Sequence, residues 1–148
     1  MSSTSQALSK KLLILGTLLF LIGLLQGAIV QVFLSPRLAL SAHIAGVQNG
    51  MVLLIFGLLW SRLDLTENLE RMAYVTSVAG MYFIWVGFTL AAMTGASMVL
   101  TFSGAGFSAS TFWEFSVGGA IYVGAAASIA AASLVLIGLL RSRSIPTQ

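Results

Sequence analysis

The sequence predicts an all-α integral membrane protein, a bundle of four spanning helices. Composition and segmentation carry that prediction. Of the 148 residues 58% are hydrophobic and only 7% charged, with a mean hydropathy of +1.01. A soluble domain carries about 25% charged residues, so this chain has too few to clothe a water-facing surface. The apolar residues also fall into four runs: Leu12–Leu34, Leu38–Trp60, Met72–Leu100 and Phe115–Leu140. Each is long enough to cross about 30 Å of hydrocarbon as a helix.

The first run follows Lys10 and Lys11. Because three further runs come after it, the lysine pair reads as a topology signal and not as the start of a cleaved secretion signal. Residues 1–9 are polar and are expected to form a mobile tail. Ser35-Pro36-Arg37 is a tight turn, since Pro36 disfavours helix at the residue before it, so the second helix is expected to begin near Leu38. The 61–71 connection carries Asp64, Glu67 and Glu70 and reads as a solvated turn or surface helix. Residues 101–113 form the longest connection. Thr111 and Glu114 have capping-box spacing at its end, which predicts the start of the fourth helix and outweighs a general-base role for Glu114. Phe112 and Trp113 belong at the headgroup level.

Four spans put Lys10, Lys11, Arg62, Arg71, Arg141 and Arg143 on one side and Arg37 alone on the other. This asymmetry places both termini in the cytoplasm by the positive-inside rule. The net charge of +3 is thereby explained without nucleic acid as a partner. The chain reads as one domain over 1–148, in contact with membrane lipid. Its expected location is the bacterial cytoplasmic (inner) membrane. Small residues recur at packing spacing: Gly23 and Gly27; Ala42, Gly46 and Gly50; Ala120, Gly124, Ser128 and Ala132. Such stripes let helices approach closely in lipid, and their number predicts a homo-oligomer.

There is no cysteine and a single histidine, His43, with no other ionisable group between Leu38 and Trp60. Ionisable groups at membrane depth are costly and commonly functional. His43 reads either as an interfacial imidazole bonded to a backbone carbonyl or as an axial ligand to haem iron. A protein-only zinc or copper site lacks companion ligands. Asn49 lies about 120° around the helix from His43, so the two face different neighbours and would serve one site only between subunits. Alternatively, Asn49 is an interhelical hydrogen bond. Tyr74, Tyr82, Trp85 and Thr89 share one face within about 80°, either as packing or, for the last three, as the wall of an aromatic pocket. Gln26, Gln31 and Gln48 read as structural hydrogen-bonding groups.

The run Ser41-Ala42-His43-Ile44-Ala45-Gly46-Val47-Gln48-Asn49-Gly50-Met51 resembles the hydroxylaminobenzene mutases, small four-span membrane enzymes. It is similar, more distantly, to styrene oxide isomerase, through Ala-His and the later Asn-Gly-Met. Val86-Gly87-Phe88 and Val99-Leu100-Thr101-Phe102 echo the isomerase as well. The resemblance implies that His43 ligates a haem b between protomers of a trimer and that Asn49 lies in the substrate pocket. The isomerase's functional tyrosine and aspartate are replaced here by Thr89 and Met81. Both departures favour the mutase reaction, the redox-neutral conversion of an aryl hydroxylamine to a 2-aminophenol. On that reading His43 holds the iron as a Lewis acid, Asn49 orients the NHOH group, and Tyr82, Trp85 and Thr89 line the site. The competing expectations are a haem epoxide isomerase and a non-catalytic haem or electron-transfer protein. A multidrug exporter is disfavoured by the lack of a carboxylate well inside any span.

Overall fold

The computed structural model describes residues 3–142; Arg143 of the expected basic cluster lies outside them. The helices are α1 (Ser3–Ala28), α2 (Pro36–Leu59), α3 (Glu67–Thr94) and α4 (Thr111–Arg141), and no strand occurs among the described residues. All four are long and apolar enough to cross a membrane. Short 3₁₀ turns at Val30–Val32 and Trp60–Arg62 follow α1 and α2.

The apolar runs locate the helices, and local chemistry resets their ends. Residues 3–9, expected to be a mobile tail, are the first turns of α1. Leu8 and Leu12 are buried in the core there, and the Ser9 hydroxyl donates to the Gly57 carbonyl at 2.9 Å. The helix stops at Ala28, short of Leu34, where the β-branched residues Ile29, Val30 and Val32 lead into a 3₁₀ turn. At the next turn Ser35 is extended and caps α2, accepting from the Leu38 N–H at 3.4 Å, while Pro36 takes the first helical position. Proline suits that position because its missing N–H would have no helical partner. Helix α2 therefore begins two residues earlier than expected, and His43 sits about two turns inside it.

Helix α3 ends at Thr94, well before Leu100. Gly95 adopts φ +80° and its N–H bonds to the Ala91 carbonyl at 2.8 Å. That left-handed cap is open to glycine at little cost and stops the helix while the sequence is still apolar.

The helices pack antiparallel in chain order: α1 on α2, α2 on α3, α3 on α4. Helix α4 barely approaches α1 or α2, so the bundle is open and does not close into a ring. The α1–α2 seam is built on glycine. A Cβ on Gly23 would lie 2.7 Å from the Val47 nitrogen, and one on Gly50 would lie 2.5 Å from the Phe20 nitrogen. The α3–α4 seam repeats the device, with a Cβ on Gly124 meeting the Ile84 nitrogen at 2.9 Å. The small stripes of the first, second and fourth helices thus meet partners inside the chain, and they cease to argue for an oligomer.

Two apolar clusters result. One gathers Leu12, Leu19, Leu53, Trp60, Met81 and Val135; the other gathers Leu38, Ala39, Ala91, Ala92 and Val117. The outer faces stay apolar and exposed, as at Leu25, Leu58, Phe115, Ile129 and Leu140, which suits a lipid surround.

Gly23→Ala is expected to lower stability by about 1–3 kcal/mol, because backbone atoms must move apart to admit the methyl group. Gly119→Ala, where nothing lies within 4 Å of the added carbon, is expected to be neutral or mildly stabilising. Reversible unfolding in mixed micelles compares the two.

Candidate functional site

His43 turns from α2 towards α1, and its Nδ1–H donates to the Gly23 carbonyl at 2.8 Å. The ring lies over Gly27, where a Cβ would fall 2.5 Å from Nδ1. A carbonyl can only accept, so Nδ1 carries a proton, and in the neutral ring the lone pair is on Nε2. Nε2 has no partner among the described residues and is not sealed from its surroundings. An imidazole whose second nitrogen is held by a carbonyl is the arrangement found in metal-bound histidines. Among the described residues no group of three or more His, Cys, Asp or Glu could hold a bare ion. The donor set fits a haem iron, which brings four ligands of its own and needs one imidazole from the protein.

Asn49 points elsewhere. Its Nδ2 donates to the Met81 carbonyl of α3 at 2.9 Å, leaving Oδ1 without a partner among the described residues. Asn49 lines a groove of about 280 Å³ between α2 and α3, together with Ser41, Ile44, Ala45, Gln48, Ile84 and Phe88. His43 meets α1 and Asn49 meets α3, as the angle of about 120° between them requires. Met81, at the isomerase's aspartate position, is 7% exposed and belongs to the first apolar cluster.

Tyr82, Trp85 and Thr89 share a face, and that face is turned to α1. The Tyr82 hydroxyl donates to the Leu15 carbonyl at 2.9 Å. Trp85 donates from Nε1 to Gln26 Oε1 at 2.9 Å, and Gln26 Nε2 donates to Thr89 Oγ1 at 3.2 Å. The Thr89 hydroxyl in turn donates to the Trp85 carbonyl at 2.9 Å. Tyr82 and Trp85 meet edge to face, 6.4 Å between centroids. Their polar atoms form a clasp from α3 to α1, and Trp85 reaches it across Gly46, where an added Cβ would be 3.0 Å from its ring. Gln26, 5% exposed, is the hub. Sequence reasoning gave Gln26 a structural role without its partners; a glutamine in the middle of an apolar run was the available signal. Tyr74 packs on the same cluster as Tyr82 and Trp85.

Two carboxylates differ from expectation. Glu114 makes no capping box with Thr111, because α4 begins at Thr111 with Ser110 as its N-cap. Instead its oxygens accept from the backbone amides of Ser97, Met98 and Ala109, at 2.8–3.2 Å. It ties both ends of the α3–α4 connection to the helix start. Glu70, expected in a solvated connection, is 9% exposed and accepts from Trp60 Nε1 at 2.7 Å. Of that connection's acids, Asp64 and Glu67 remain at the surface, Glu67 paired with Arg71 at 3.1 Å.

Fold and site together define a class: a four-span helical protein with one open imidazole near a span end and a polar groove at mid-span. The family model of styrene oxide isomerase matches residues 8–140, and the chain belongs to that family. Among curated relatives, the hydroxylaminobenzene mutase HabA of Ectopseudomonas oleovorans is 37% identical over 127 residues, which is 85% of this chain and 94% of HabA. Hydroxylaminobenzene mutase HabB of the same organism is 43% identical over 94 residues, 64% of this chain. That second match spans only 57% of HabB. The relatives are named as mutases and the family as an isomerase, so the chain stands among isomerising enzymes. No solved structure matches it.

Gln26→Leu is expected to lower stability by about 1–3 kcal/mol, since it strands the Trp85 N–H in an apolar setting. Gln31→Leu, at an exposed position, is expected to change stability little. Unfolding followed by tryptophan fluorescence distinguishes them.

Proposed function

We propose that this chain is an intramolecular hydroxyl-transfer mutase that converts aryl hydroxylamines, such as hydroxylaminobenzene, to 2-aminophenols. The observation that carries the reading is His43, fixed by the Gly23 carbonyl in the tautomer that leaves Nε2 free to bind iron. Its family membership and its similarity to two hydroxylaminobenzene mutases support the substrate class. Haem b is the proposed cofactor, and His43 would hold its iron through Nε2. When bound, a ferric haem would supply a Lewis acid for the N-hydroxyl oxygen.

The reaction is an isomerisation. The N–O bond breaks, a C–O bond forms at the ortho carbon, that carbon loses its hydrogen as a proton, and nitrogen gains a proton. No oxidant or reductant is consumed. The residues supply placement. Asn49 Oδ1 is the acceptor available to an N–H or O–H of the substrate. The Asn49 bond to Met81 fixes the orientation of that carboxamide, so little side-chain freedom is lost on binding. Tyr82 and Trp85 seal the α1–α3 side of the bundle, which keeps water from the reacting group. Thr89 holds Trp85 in that position through Gln26.

His43 and Asn49 face different helices, so one copy does not offer both to a single small substrate. We therefore place the working site between copies, in a homo-oligomer for which the family resemblance favours a trimer. The excess of Lys and Arg at one end supports cytoplasmic termini, and the proposed setting is the bacterial inner membrane.

Epoxide isomerisation is the second reading, favoured by the description of the family model and opposed by Met81 and Thr89. Purified protein given phenylhydroxylamine and styrene oxide in parallel is expected to turn over the hydroxylamine. Turnover of the epoxide alone would reverse the assignment. The wild type is expected to show a Soret band that His43→Ala loses, and Asn49→Leu is expected to keep the band while turnover falls by about tenfold or more. No Soret band from haem-replete cells would remove the iron from the mechanism.

A further inference from the structure

The groove beside Asn49 contains a group that its surroundings leave unexplained. Gln48 stands at the middle of α2, about 17 Å along the axis from the nearer helix end. It is exposed and has no hydrogen-bond partner among the described residues. Neither lipid nor snorkelling can satisfy a carboxamide at that depth: chain ends and headgroups are beyond its reach, and hydrocarbon offers neither donor nor acceptor. The other polar side chains of the groove are wholly or partly engaged. Ser41 donates to the Arg37 carbonyl at 3.2 Å, and Asn49 uses its Nδ2 on Met81. Gln26, the comparable glutamine of α1, is fully engaged in the clasp with Trp85 and Thr89. Gln48 alone offers both an amide donor and a carbonyl acceptor to the groove it lines with Asn49, Ile84 and Phe88.

We propose that Gln48 is a second substrate-contacting residue, a specificity determinant for the N-hydroxylamine group; this rests on the mutase reading above. The chemistry is matched. An aryl hydroxylamine presents two donors, N–H and O–H, and an oxygen acceptor, whereas an epoxide presents an acceptor alone. The unpartnered Asn49 Oδ1 takes one donor, the Gln48 carbonyl takes the other, and the Gln48 amide reaches the oxygen. Ile84 and Phe88 give the ring an apolar wall. With two acceptors, the groove favours a ligand that brings two donors over one that brings none, because an unmet acceptor in a dry site is costly.

The test is a KM-against-kcat comparison with phenylhydroxylamine on wild type, Gln48→Leu and Gln31→Leu, with the size of the purified oligomer measured for each. The expected result is a KM raised about fivefold or more in Gln48→Leu, the effect of losing its hydrogen bonds to the substrate, with a smaller change in kcat. Oligomer size is expected to be unchanged, and Gln31→Leu to match wild type. If wild type turns over the hydroxylamine and Gln48→Leu keeps its KM, Gln48 does not contact substrate and the inference falls alone. A Gln48→Leu protein that loses its assembly with KM intact would make Gln48 an intersubunit packing group, which also overturns it. A wild type inert towards phenylhydroxylamine would take down the mutase reading and this inference together.

Discussion

The contact on which the rest of this structure depends is the glycine seam between α1 and α2. With no Cβ at Gly23, Gly27, Gly46 or Gly50, the two backbones come close enough for one helix to supply hydrogen-bonding groups to the side chains of the other. The Gly23 carbonyl already accepts within its own helix, and a second lone pair remains for an outside donor. His43 uses it, and the space for the imidazole is the space that Gly27 leaves empty. A larger residue at either position would push the ring away and let its tautomer vary. Close packing of two helices is therefore also what fixes the protonation pattern of the single histidine.

The same seam sets where α3 can lie. Trp85 rests against Gly46, so its indole passes over α2 to reach Gln26 on α1. Without that gap α1 and α3, which make few direct backbone approaches, would keep only the Gln26–Thr89 bond between them at this level. Tyr82 adds a third bond further along α1, to the Leu15 carbonyl. In hydrocarbon such bonds specify geometry more than they add stability, because a polar group in a membrane finds a partner in most arrangements. Here they select one register of α3 on α1, and that register places Met81 where its carbonyl can receive Asn49.

Much of this was legible in the sequence, at the level where one residue's chemistry suffices. Hydropathy located four spans, Ser35-Pro36 located the turn, and helix geometry alone separated His43 from Asn49. The helix ends were less legible, because hydropathy averages over a window while a cap is a single-residue event. Gly95 stops α3 although Ala96–Leu100 would have extended an apolar run. Polar partners were illegible for a different reason. The clasp joins residues about sixty apart in sequence, and Trp60 finds Glu70 only after a 3₁₀ turn and an extended stretch reverse the chain. Spacing along one helix cannot reveal a bond between two. The Thr111–Glu114 pair shows the converse: correct capping spacing, with Glu114 drawn instead to three amides that only the folded connection brings within reach.

These pairings also narrow where chemistry can occur. A lipid-embedded chain must satisfy nearly every polar group internally, and this one does so for Trp60, Glu70, Tyr82, Trp85, Gln26, Thr89 and Glu114. Among the described residues Ser128 Oγ on α4 is buried without a partner, and on α2 the open polar atoms are His43 Nε2, Asn49 Oδ1 and the Gln48 carboxamide. Two of these belong to one groove on the α2–α3 side, and the third lies where α2 meets α1. A reaction that needs an iron ligand and a polar cradle for its substrate can draw on these groups and few others. They lie on different sides of α2, since His43 and Asn49 are six residues and about 120° apart. On the proposed function, one site drawing on both groups requires a second copy to present its α1–α2 side to the first copy's groove.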